Sequence, residues 1–388
     1  IKELGERGTR AAVVVTAGMS AEQKQAMLKA ARKHTLRILG PNCIGMLVPH
    51  LGLNASFAHI GAQKGELAFV SQSGALVTAM LDWAGSRGIG FSHFVSLGEH
   101  ADVDFGDMLD FLGSDPKTRA ILLYVESIEQ PRKFMSAARA AARNKPVIVV
   151  KSGRSAAGQQ AAASHTGALA GSDAVFDAAF ARAGMLRVDT LQDLFLAAKT
   201  LSRFRDGPSG QLIVLTNGGG AGVMAADAAS AEGVPLATLT PDMLTRLNAV
   251  LPANWSHANP VDIIGDAPAD RYAQALEALS QDTDSAILFI HAPTAIVPST
   301  DIAQTLLPRV STKPHRVLGC WLGDQAVANA RQLFRSAGVP DFDTPEQAVR
   351  ALSFLRTYRL HQEELMQTPP ARTAEQPVDL PLMRPIGK

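Results

Sequence analysis

Residues 67–83, LAFVSQSGALVTAMLDW, decide the fold class of this chain. A short apolar run leads into a turn formed by Ser71, Gln72, Ser73 and Gly74, and an amphipathic stretch follows the turn. This pattern is typical of a buried parallel strand that passes directly into a helix, because both faces of such a strand are covered. The stretch therefore predicts one strand–turn–helix unit of a doubly wound α/β sheet.

Similar apolar runs recur along the whole chain. They lie at residues 11–18, 91–98, 120–127, 146–153, 211–220, 285–293 and 315–323. Amphipathic helical stretches lie between them, for example at residues 75–85, 132–144 and 222–232. Strand alternating with helix over the full length predicts tandem flavodoxin-like domains with doubly wound parallel sheets.

The strand runs fall into three blocks. Residues 1–56 hold too few strands for a complete domain, whereas residues 60–202 and 208–360 each have the size of a flavodoxin-like domain. Residues 361–388 are rich in proline and poor in apolar periodicity, which predicts a linker. The chain opens at Ile1 inside a helical pattern, so we expect the true start to lie upstream and both ends to belong to a larger protein.

Composition excludes several classes of protein. Hydrophobic residues make up 46% of the chain, which is enough to build cores and excludes general disorder. The 37 basic and 36 acidic residues nearly balance, and no basic run interleaves with aromatics, so no nucleic-acid partner is expected. Cys43 and Cys320 cannot form a disulfide framework, and neither a signal peptide nor a membrane-length apolar run occurs. We therefore expect a cytoplasmic protein without a membrane partner.

Two of the strand–helix turns are candidate anion sites. The first N–H groups of a helix lack intrahelical partners and, with the helix dipole, attract an anion. In residues 71–74 the alternative is an ordinary turn that Ser73 caps. The second turn comprises Gly218, Gly219, Gly220 and Ala221, where the glycines allow close approach of a ligand to the backbone. It lacks both GxGxxG and GK[ST] spacing, so phosphate without a dinucleotide fits better.

His165 is the candidate nucleophile. It stands in the run SHTGALAG (residues 164–171), where small neighbours leave the imidazole little to pack against. A loop of that kind suits a histidine that carries a phosphoryl group. Glu126, at the carboxyl end of a predicted strand, is the candidate to orient the ring. The alternatives are a histidine that packs or caps a helix, and a surface glutamate.

Two further polar segments are weaker candidates. LGEHADVD could suggest a metal, but a strand-end loop that caps the next helix is the stronger interpretation of Glu99, His100, Asp102 and Asp104. NPVDIIGDAPADR is expected to cap or line a site through Asn259, Asp262 and Asp266. Neither HExxH nor paired CxxC occurs, so no metal site is predicted. The absence of GxSxG disfavours a serine hydrolase.

Six motifs resemble those of the NDP-forming acyl-CoA synthetases, relatives of succinyl-CoA synthetase. ILGPNCIG is similar to the segment that ends their CoA-binding domain, which would assign CoA contacts to Asn42 and Cys43. SQSGALVTAM and TNGGGAGVMAADA resemble the two phosphate-facing helices of the family. SHTGALAG resembles its phosphohistidine loop, YVES its strand with the orienting glutamate, and NPVDIIGDA the loop beside the second helix.

The resemblance implies an activity. Such enzymes interconvert acid, CoA and ATP with acyl-CoA, ADP and phosphate through an acyl phosphate, and a histidine carries the phosphoryl group to a nucleotide. It implies that His165 is the carrier and Glu126 its partner, with acetate as the default acid. ATP or ADP with Mg²⁺ would sit on an ATP-grasp domain or subunit outside this chain. The first turn of the CoA-binding domain is also missing, so we expect the chain alone not to complete the reaction.

A second family is also similar. Residues 51–83 and 132–155 resemble the ligase-like region of bacterial protein lysine acetyltransferases, in which a GNAT domain follows the ATP-grasp part. That resemblance implies an acyl-CoA-binding regulatory module with a GNAT partner. His165 favours a competent ligase, because a purely sensory module needs no phosphorylatable histidine. The alanine-rich helix faces permit a homo-oligomer.

Overall fold

The computed structural model describes residues 1–166, 172–204, 206–208, 210–280, 282–312 and 316–367, with only the backbone for residues 162–166. The helices in these ranges are α1 (Lys2–Glu6), α2 (Ala21–Arg32), α3 (Gly74–Gly85), α4 (Phe105–Ser114), α5 (Pro131–Asn144), α6 (Ala156–Thr166), α7 (Asp173–Arg182), α8 (Leu191–Phe204), α9 (Gly219–Ala231), α10 (Pro241–Val250), α11 (Ala269–Leu279), α12 (Ser299–Val310), α13 (Ala328–Ser336) and α14 (Pro345–Met366). The strands are β1 (Ala11–Val13), β2 (Arg37–Leu39), β3 (Gly45–Val48), β4 (Leu53–Ser56), β5 (Lys64–Ser71), β6 (Phe91–Ser96), β7 (Ala120–Val125), β8 (Val147–Lys151), β9 (Leu186–Val188), β10 (Gln211–Thr216), β11 (Val261–Asp262), β12 (Ser285–His291), β13 (Val317–Trp321) and β14 (Asp341–Phe342).

The strands build three sheets, and the predicted α/β class with parallel sheets is confirmed. β1 and β2 pair with each other, seven strands form a sheet in the order β4-β3-β6-β5-β7-β8-β9, and five form β11-β10-β12-β13-β14. Every predicted strand run contains a strand. The strands that the sequence did not reveal are β2, β3, β4, β9, β11 and β14, none longer than four residues, which is too short for a periodicity signal.

The two larger sheets share one strand order. Numbered within its own sheet, each parallel set runs 2-1-3-4-5, as β6-β5-β7-β8-β9 and as β11-β10-β12-β13-β14. This is the flavodoxin-like order, in which ligands bind at the carboxyl ends of strands 1 and 3, where the winding direction reverses. Ligands are therefore expected at the carboxyl ends of β5 and β7 in one sheet and of β10 and β12 in the other.

β3 and β4 extend the seven-stranded sheet at its β6 edge. They pair antiparallel to each other, and β3 pairs antiparallel to β6 through Met46 opposite Val95 and Leu47 opposite Phe94. The prediction that residues 1–56 form a block of their own therefore needs correction. Leu47 and Val48 are buried, so these residues gain apolar cover by joining the neighbouring sheet.

A continuous apolar core joins the two flavodoxin-like sheets. It includes Phe69 and Leu122 of one sheet, Val214 and Leu288 of the other, and Tyr358 of α14. α14 packs against both α8 and α9, and it continues to Met366, past the linker boundary predicted at residue 360. The two sheets therefore share helix α14 as a common covering element.

Ion pairs reinforce that contact. Arg350 of α14 donates to Asp193 of α8 at 2.8 and 2.9 Å and to Glu232 at the end of α9 at 3.0 Å. These carboxylates hold the pKa of the guanidinium above its usual value, chiefly through the hydrogen bonds with Asp193. The Lys199 ammonium of α8 lies 3.1 Å from the buried carboxylate of Asp341 in β14. Charged groups on both sheets are thus paired across their contact.

None of the described helices combines the length and the apolar content needed to cross a bilayer.

Candidate functional site

The turn between β5 and α3 is held by two serine hydroxyls. Ser71 Oγ accepts a hydrogen bond from the Ser73 N–H and donates one to the Ser73 carbonyl, both at 3.0 Å. Ser73 Oγ in turn accepts from the Leu76 N–H at 3.5 Å, so Ser73 is the N-cap of α3. Ser73 caps the helix as the alternative predicted. Phosphate binding at residues 71–74 stays a prediction, for which the N–H groups of Gly74 and Ala75 are available.

Gln72 ties this turn to the neighbouring strand. Its side chain is 9% exposed, and Oε1 accepts from the Glu126 N–H at 2.6 Å and from the Ser127 N–H at 3.1 Å. Nε2 donates to the Ser127 carbonyl at 3.1 Å. The amide therefore joins the ends of β5 and β7, the strands between which the winding reverses. We predicted that Gln72 binds phosphate, but this side chain is committed to the backbone of Glu126 and Ser127.

The turn between β10 and α9 repeats the same arrangement. Thr216 Oγ1 accepts from the Gly218 N–H at 3.1 Å and donates to its carbonyl at 3.2 Å, as Ser71 does with Ser73. Asn217 bridges to the next strand, since its amide donates to the Ala292 carbonyl at 2.9 Å and accepts from its N–H at 2.8 Å. Ala292 follows β12 as Glu126 follows β7, so the second turn lacks the carboxylate of the first.

The N-terminus of α9 is open. Gly218 is the N-cap and offers no side chain, while Gly219 and Gly220 are exposed. A Cβ built on Gly218 or Gly220 meets no atom within 4 Å, so the backbone here borders free space. One built on Gly219 would lie 3.1 Å from Asp262 Oδ2, which places that carboxylate beside the turn. Uncapped N–H groups next to free space fit a phosphate group.

The segment around Asn42 lies against the first turn. Ile44 contacts Gly74, because a Cβ on that glycine would come within 3.2 Å of the isoleucine side chain. Asn42 is exposed, whereas Cys43 is buried with Sγ 3.4 Å from the Val14 carbonyl. Burial raises the pKa of the Cys43 thiol. A contact of Cys43 with CoA would therefore have to use its backbone, and the assignment of both residues to CoA stays a prediction.

The backbone at His165 is helical, whereas the sequence predicted a loop. α6 runs from Ala156 to Thr166, and Ser155 Oγ accepts from the Gly158 N–H at 3.1 Å near its start. The physical reason is the run AAGQQAAA, whose alanines and glutamines favour a helix that extends to the position of His165. The His165 side chain lies outside the described part of the chain, as do residues 167–171, so its pairing with half-buried Glu126 stays a prediction.

The LGEHADVD segment is a capping and ion-pairing loop, as its stronger interpretation predicted. Asp104 caps α4 in a capping box, the Glu99 carboxylate lies 2.8 Å from Lys24 Nζ, and Asp102 accepts from the Ile38 N–H at 2.7 Å. His100 lies at the first turn instead, 3.4 Å from Gln72 Nε2. Among the described residues, no three His, Cys, Asp or Glu side chains come together as metal ligands would.

The NPVDIIGDA segment supports the second sheet. Asn259 Oδ1 accepts from the Val214 N–H at 2.9 Å, and its Nδ2 donates to the carbonyls of Leu212 and Ala237 at 2.8 and 2.9 Å. Asp266 pairs with Arg271 at 2.6 Å. Asn259 and Asp266 are therefore structural here, and Asp262 is the member that lies at the candidate site.

Sequence reasoning missed three residues near the strand ends: Ser127, His291 and Lys151. Ser127 follows Glu126 and is bound to Gln72, and Lys151 and His291 are the last residues of β8 and β12. Their sequence signal is weak, because each is only a polar residue at or just after the end of an apolar run. Such positions are candidates because α/β sheets bind ligands at the carboxyl ends of their parallel strands.

His291 is a buried, neutral imidazole beside the second turn. Nδ1 lies 3.0 Å from the Tyr272 hydroxyl, Nε2 lies 3.0 Å from Ser299 Oγ, and burial lowers the pKa of the ring from 6.5 to about 4. Between these pH values the unfolded chain holds a proton that the folded chain does not. Folding stability is therefore expected to fall as the pH drops from about 6.5 to about 4, by about 3 kcal/mol.

The measurement is the free energy of urea unfolding at a series of pH values for wild type and for His291→Gln, which removes the titrating ring. The difference between the two proteins should shrink with falling pH across this window. Parallel pH profiles for the two proteins would contradict the assignment.

Comparisons with known proteins cover most of the chain. Residues 64–201 match the succinyl-CoA ligase-like flavodoxin domain, and residues 212–352 match the ligase-CoA domain. The acetate–CoA ligase [ADP-forming] I of Archaeoglobus fulgidus is 39% identical over 92% of this chain and 52% of its own length. The chain thus spans about half of that relative.

Two further relatives match across most of their own length. The alpha subunit of acetate–CoA ligase [ADP-forming] I of Pyrococcus furiosus is 36% identical over 92% of this chain and 79% of the subunit. Acetyl-coenzyme A synthetase 1 of Candidatus Korarchaeum cryptofilum, solved in complex with phosphate and ADP, superimposes with a TM-score of 0.85. It is 35% identical and covers 94% of this chain, which covers 80% of it. With two matching family domains and relatives of this identity and coverage, this chain belongs to the family of ADP-forming acetate–CoA ligases, the NDP-forming acyl-CoA synthetases.

Proposed function

We propose that this chain is the acyl- and CoA-handling part of an ADP-forming acyl-CoA synthetase. The whole enzyme would interconvert an acid, CoA and ATP with acyl-CoA, ADP and phosphate. The observation that carries the proposal is the pair of repeated strand-end turns in a chain whose relatives are named acetate–CoA ligases. Acetate is the acid that these names suggest.

The proposed reaction has three steps in the direction of ATP synthesis. A phosphate oxygen attacks the thioester carbonyl carbon, the C–S bond breaks, and CoA leaves as the thiol after taking a proton. A ring nitrogen of His165 then attacks the phosphorus of the acyl phosphate, the P–O bond breaks, and the carboxylate leaves. In the last step the phosphoryl group passes from His165 to ADP.

The described residues have distinct roles in this scheme. The open N–H groups of Gly219, Gly220 and Ala221 at α9, and those of Gly74 and Ala75 at α3, would stabilise phosphate charge without moving. Glu126 would accept a hydrogen bond from the His165 ring and keep its other nitrogen free to attack phosphorus. The exposed Asn42 segment against α3 would receive CoA.

The nucleotide would bind elsewhere in the complete enzyme. We propose that ATP or ADP with Mg²⁺ occupies an ATP-grasp domain or subunit, since the Pyrococcus furiosus relative is named as an alpha subunit. The ligase names of relatives that match nine-tenths of the chain favour this proposal over the acetyltransferase alternative.

The experiment uses the complete protein with its nucleotide-binding part. After incubation with γ-labelled ATP and Mg²⁺, wild type should carry acid-labile, base-stable phosphate, and His165→Ala should carry none. His59→Ala, which removes an exposed histidine that no step of the scheme uses, should be labelled like wild type. Wild type that binds acetyl-CoA yet takes no label would reject the ligase and leave a ligand-sensing module.

A further inference from the structure

Lys151, the last residue of β8, is a buried cation without a carboxylate partner among the described residues. Its side chain is 2% exposed. The ammonium donates to the Ser152 carbonyl and lies 4.6 Å from the centre of the Phe176 ring, and no described carboxylate comes within 4 Å of it. A lysine has three N–H donors, so the residues that the structure describes satisfy this charge only in part.

Other lysines in the chain show how unusual this is. Lys199 and Lys133 are only half-buried, yet Lys199 lies 3.1 Å from Asp341, and Lys133 lies 2.8 Å from Asp104 and 2.6 Å from Asp107. Burying an unpaired charge is strongly unfavourable, because the lost hydration is not replaced. Burial accordingly lowers the pKa of the Lys151 ammonium, although Asp173 and Glu126 act against that effect. A fold that keeps such a charge does so against its own stability.

The position of Lys151 indicates which ligand its charge could bind. β8 neighbours β7 in the sheet, with Lys151 opposite Val125, the residue before Glu126. Helix α6, which contains the position of His165, begins only five residues after Lys151, at Ala156. The cation therefore stands at the carboxyl edge of the sheet between the strand that leads to Glu126 and the helix of His165.

We propose that the Lys151 ammonium binds a phosphate or phosphoryl group that enters this edge of the sheet, and that it balances the negative charge of that group. The inference rests on the proposed function for the identity of the anion. Besides the N-termini of α3 and α9, the site would then have a full positive charge at the end of β8. Because no described carboxylate pairs with the charge, the anion would supply that partner.

The test compares Lys151→Met, Lys151→Arg and Lys145→Met with wild type in the complete protein. Lys145 is the matched control: it precedes β8 at the opposite edge of the sheet and donates to the Leu112 carbonyl at 2.8 Å. The thermal midpoint is measured over a range of inorganic phosphate concentrations, since a ligand that binds the folded state raises it. Phosphoenzyme formed from acetyl-CoA and labelled phosphate is measured in parallel.

We expect Lys151→Met to melt at or above the wild-type temperature without phosphate and to bind phosphate at least tenfold more weakly. Lys151→Arg should recover most of the binding, and Lys145→Met should lose stability but keep phosphate affinity. Wild-type affinity in Lys151→Met, no phosphate binding by wild type, or failure of Lys151→Arg to recover binding would overturn the inference. Phosphate binding by wild type without label would instead reject only the proposed phosphohistidine.

Discussion

Replacing Gln72 by leucine is expected to slow phosphoenzyme formation about 100-fold, although this side chain need not touch phosphate. Its amide holds the N–H groups of Glu126 and Ser127 at 2.6 and 3.1 Å, and leucine can hold neither. The end of β7 would then shift, and Glu126 with it. The two half-buried N–H groups left without partners should also lower the free energy of unfolding, by about 2 kcal/mol.

A double-mutant cycle separates positioning from general damage. If Gln72 acts through Glu126, the labelling rate of Gln72→Leu with Glu126→Gln should be close to that of the slower single variant. Asn217→Leu is the matched control, because it breaks the same bridge beside Ala292 and should lose similar stability. Its effect on labelling should multiply with that of Glu126→Gln. Multiplying effects for Gln72 and Glu126 would show that Gln72 does not position the carboxylate.

Gly98→Ala is expected to lower the free energy of unfolding by about 3 kcal/mol. Gly98 follows β6 with φ at +57°, a left-handed conformation that disfavours alanine. A Cβ there would lie 2.3 Å from the carbonyl oxygens of both Pro41 and Asn42, which are backbone atoms and cannot rotate away. The Asn42 segment would have to move off the carboxyl edge of the sheet, and CoA binding should weaken with it.

Gly88→Ala is the control for backbone strain alone. Gly88 has φ at +63°, yet a Cβ there meets no atom within 4 Å. It should cost about 1 kcal/mol and leave CoA binding unchanged. Urea unfolding and acetyl-CoA titration of both variants check the prediction. Equal stability losses would mean that close packing of Gly98 on the Asn42 segment contributes nothing.

The sequence predicted the fold well where the elements are long and apolar. β5, β7, β10 and β12 are buried on both faces, so their apolar runs stand out without any knowledge of partners. β3 was out of reach, because four residues carry little pattern and their place in the sheet depends on pairing with β6, about 50 residues later. Such pairings are set by tertiary packing, which periodicity does not encode.

The candidate site was predicted at the level of segments but not of side chains. The turns at Ser71 and Gly218 were found because Ser and Gly at a strand–helix junction have a local physical meaning. The function of Gln72 could not be read from its own turn, since its partners lie 54 and 55 residues away. Lys151 was missed because a lysine at the end of a strand is ordinarily solvated. Only its burial in the folded chain makes it unusual, and the sequence does not show that burial.

Helix α14 has a consequence for how the chain is synthesised. It covers α8 of the first flavodoxin-like domain, yet it is translated after the last strand of the second. During translation, Asp193 can therefore form its ion pair with Arg350 only after residue 350 has left the ribosome. The apolar face of α8 that α14 covers thus stays exposed while about 150 further residues are translated, and transiently exposed apolar surface makes a chain prone to aggregate. Helix α14 therefore completes both domains at once.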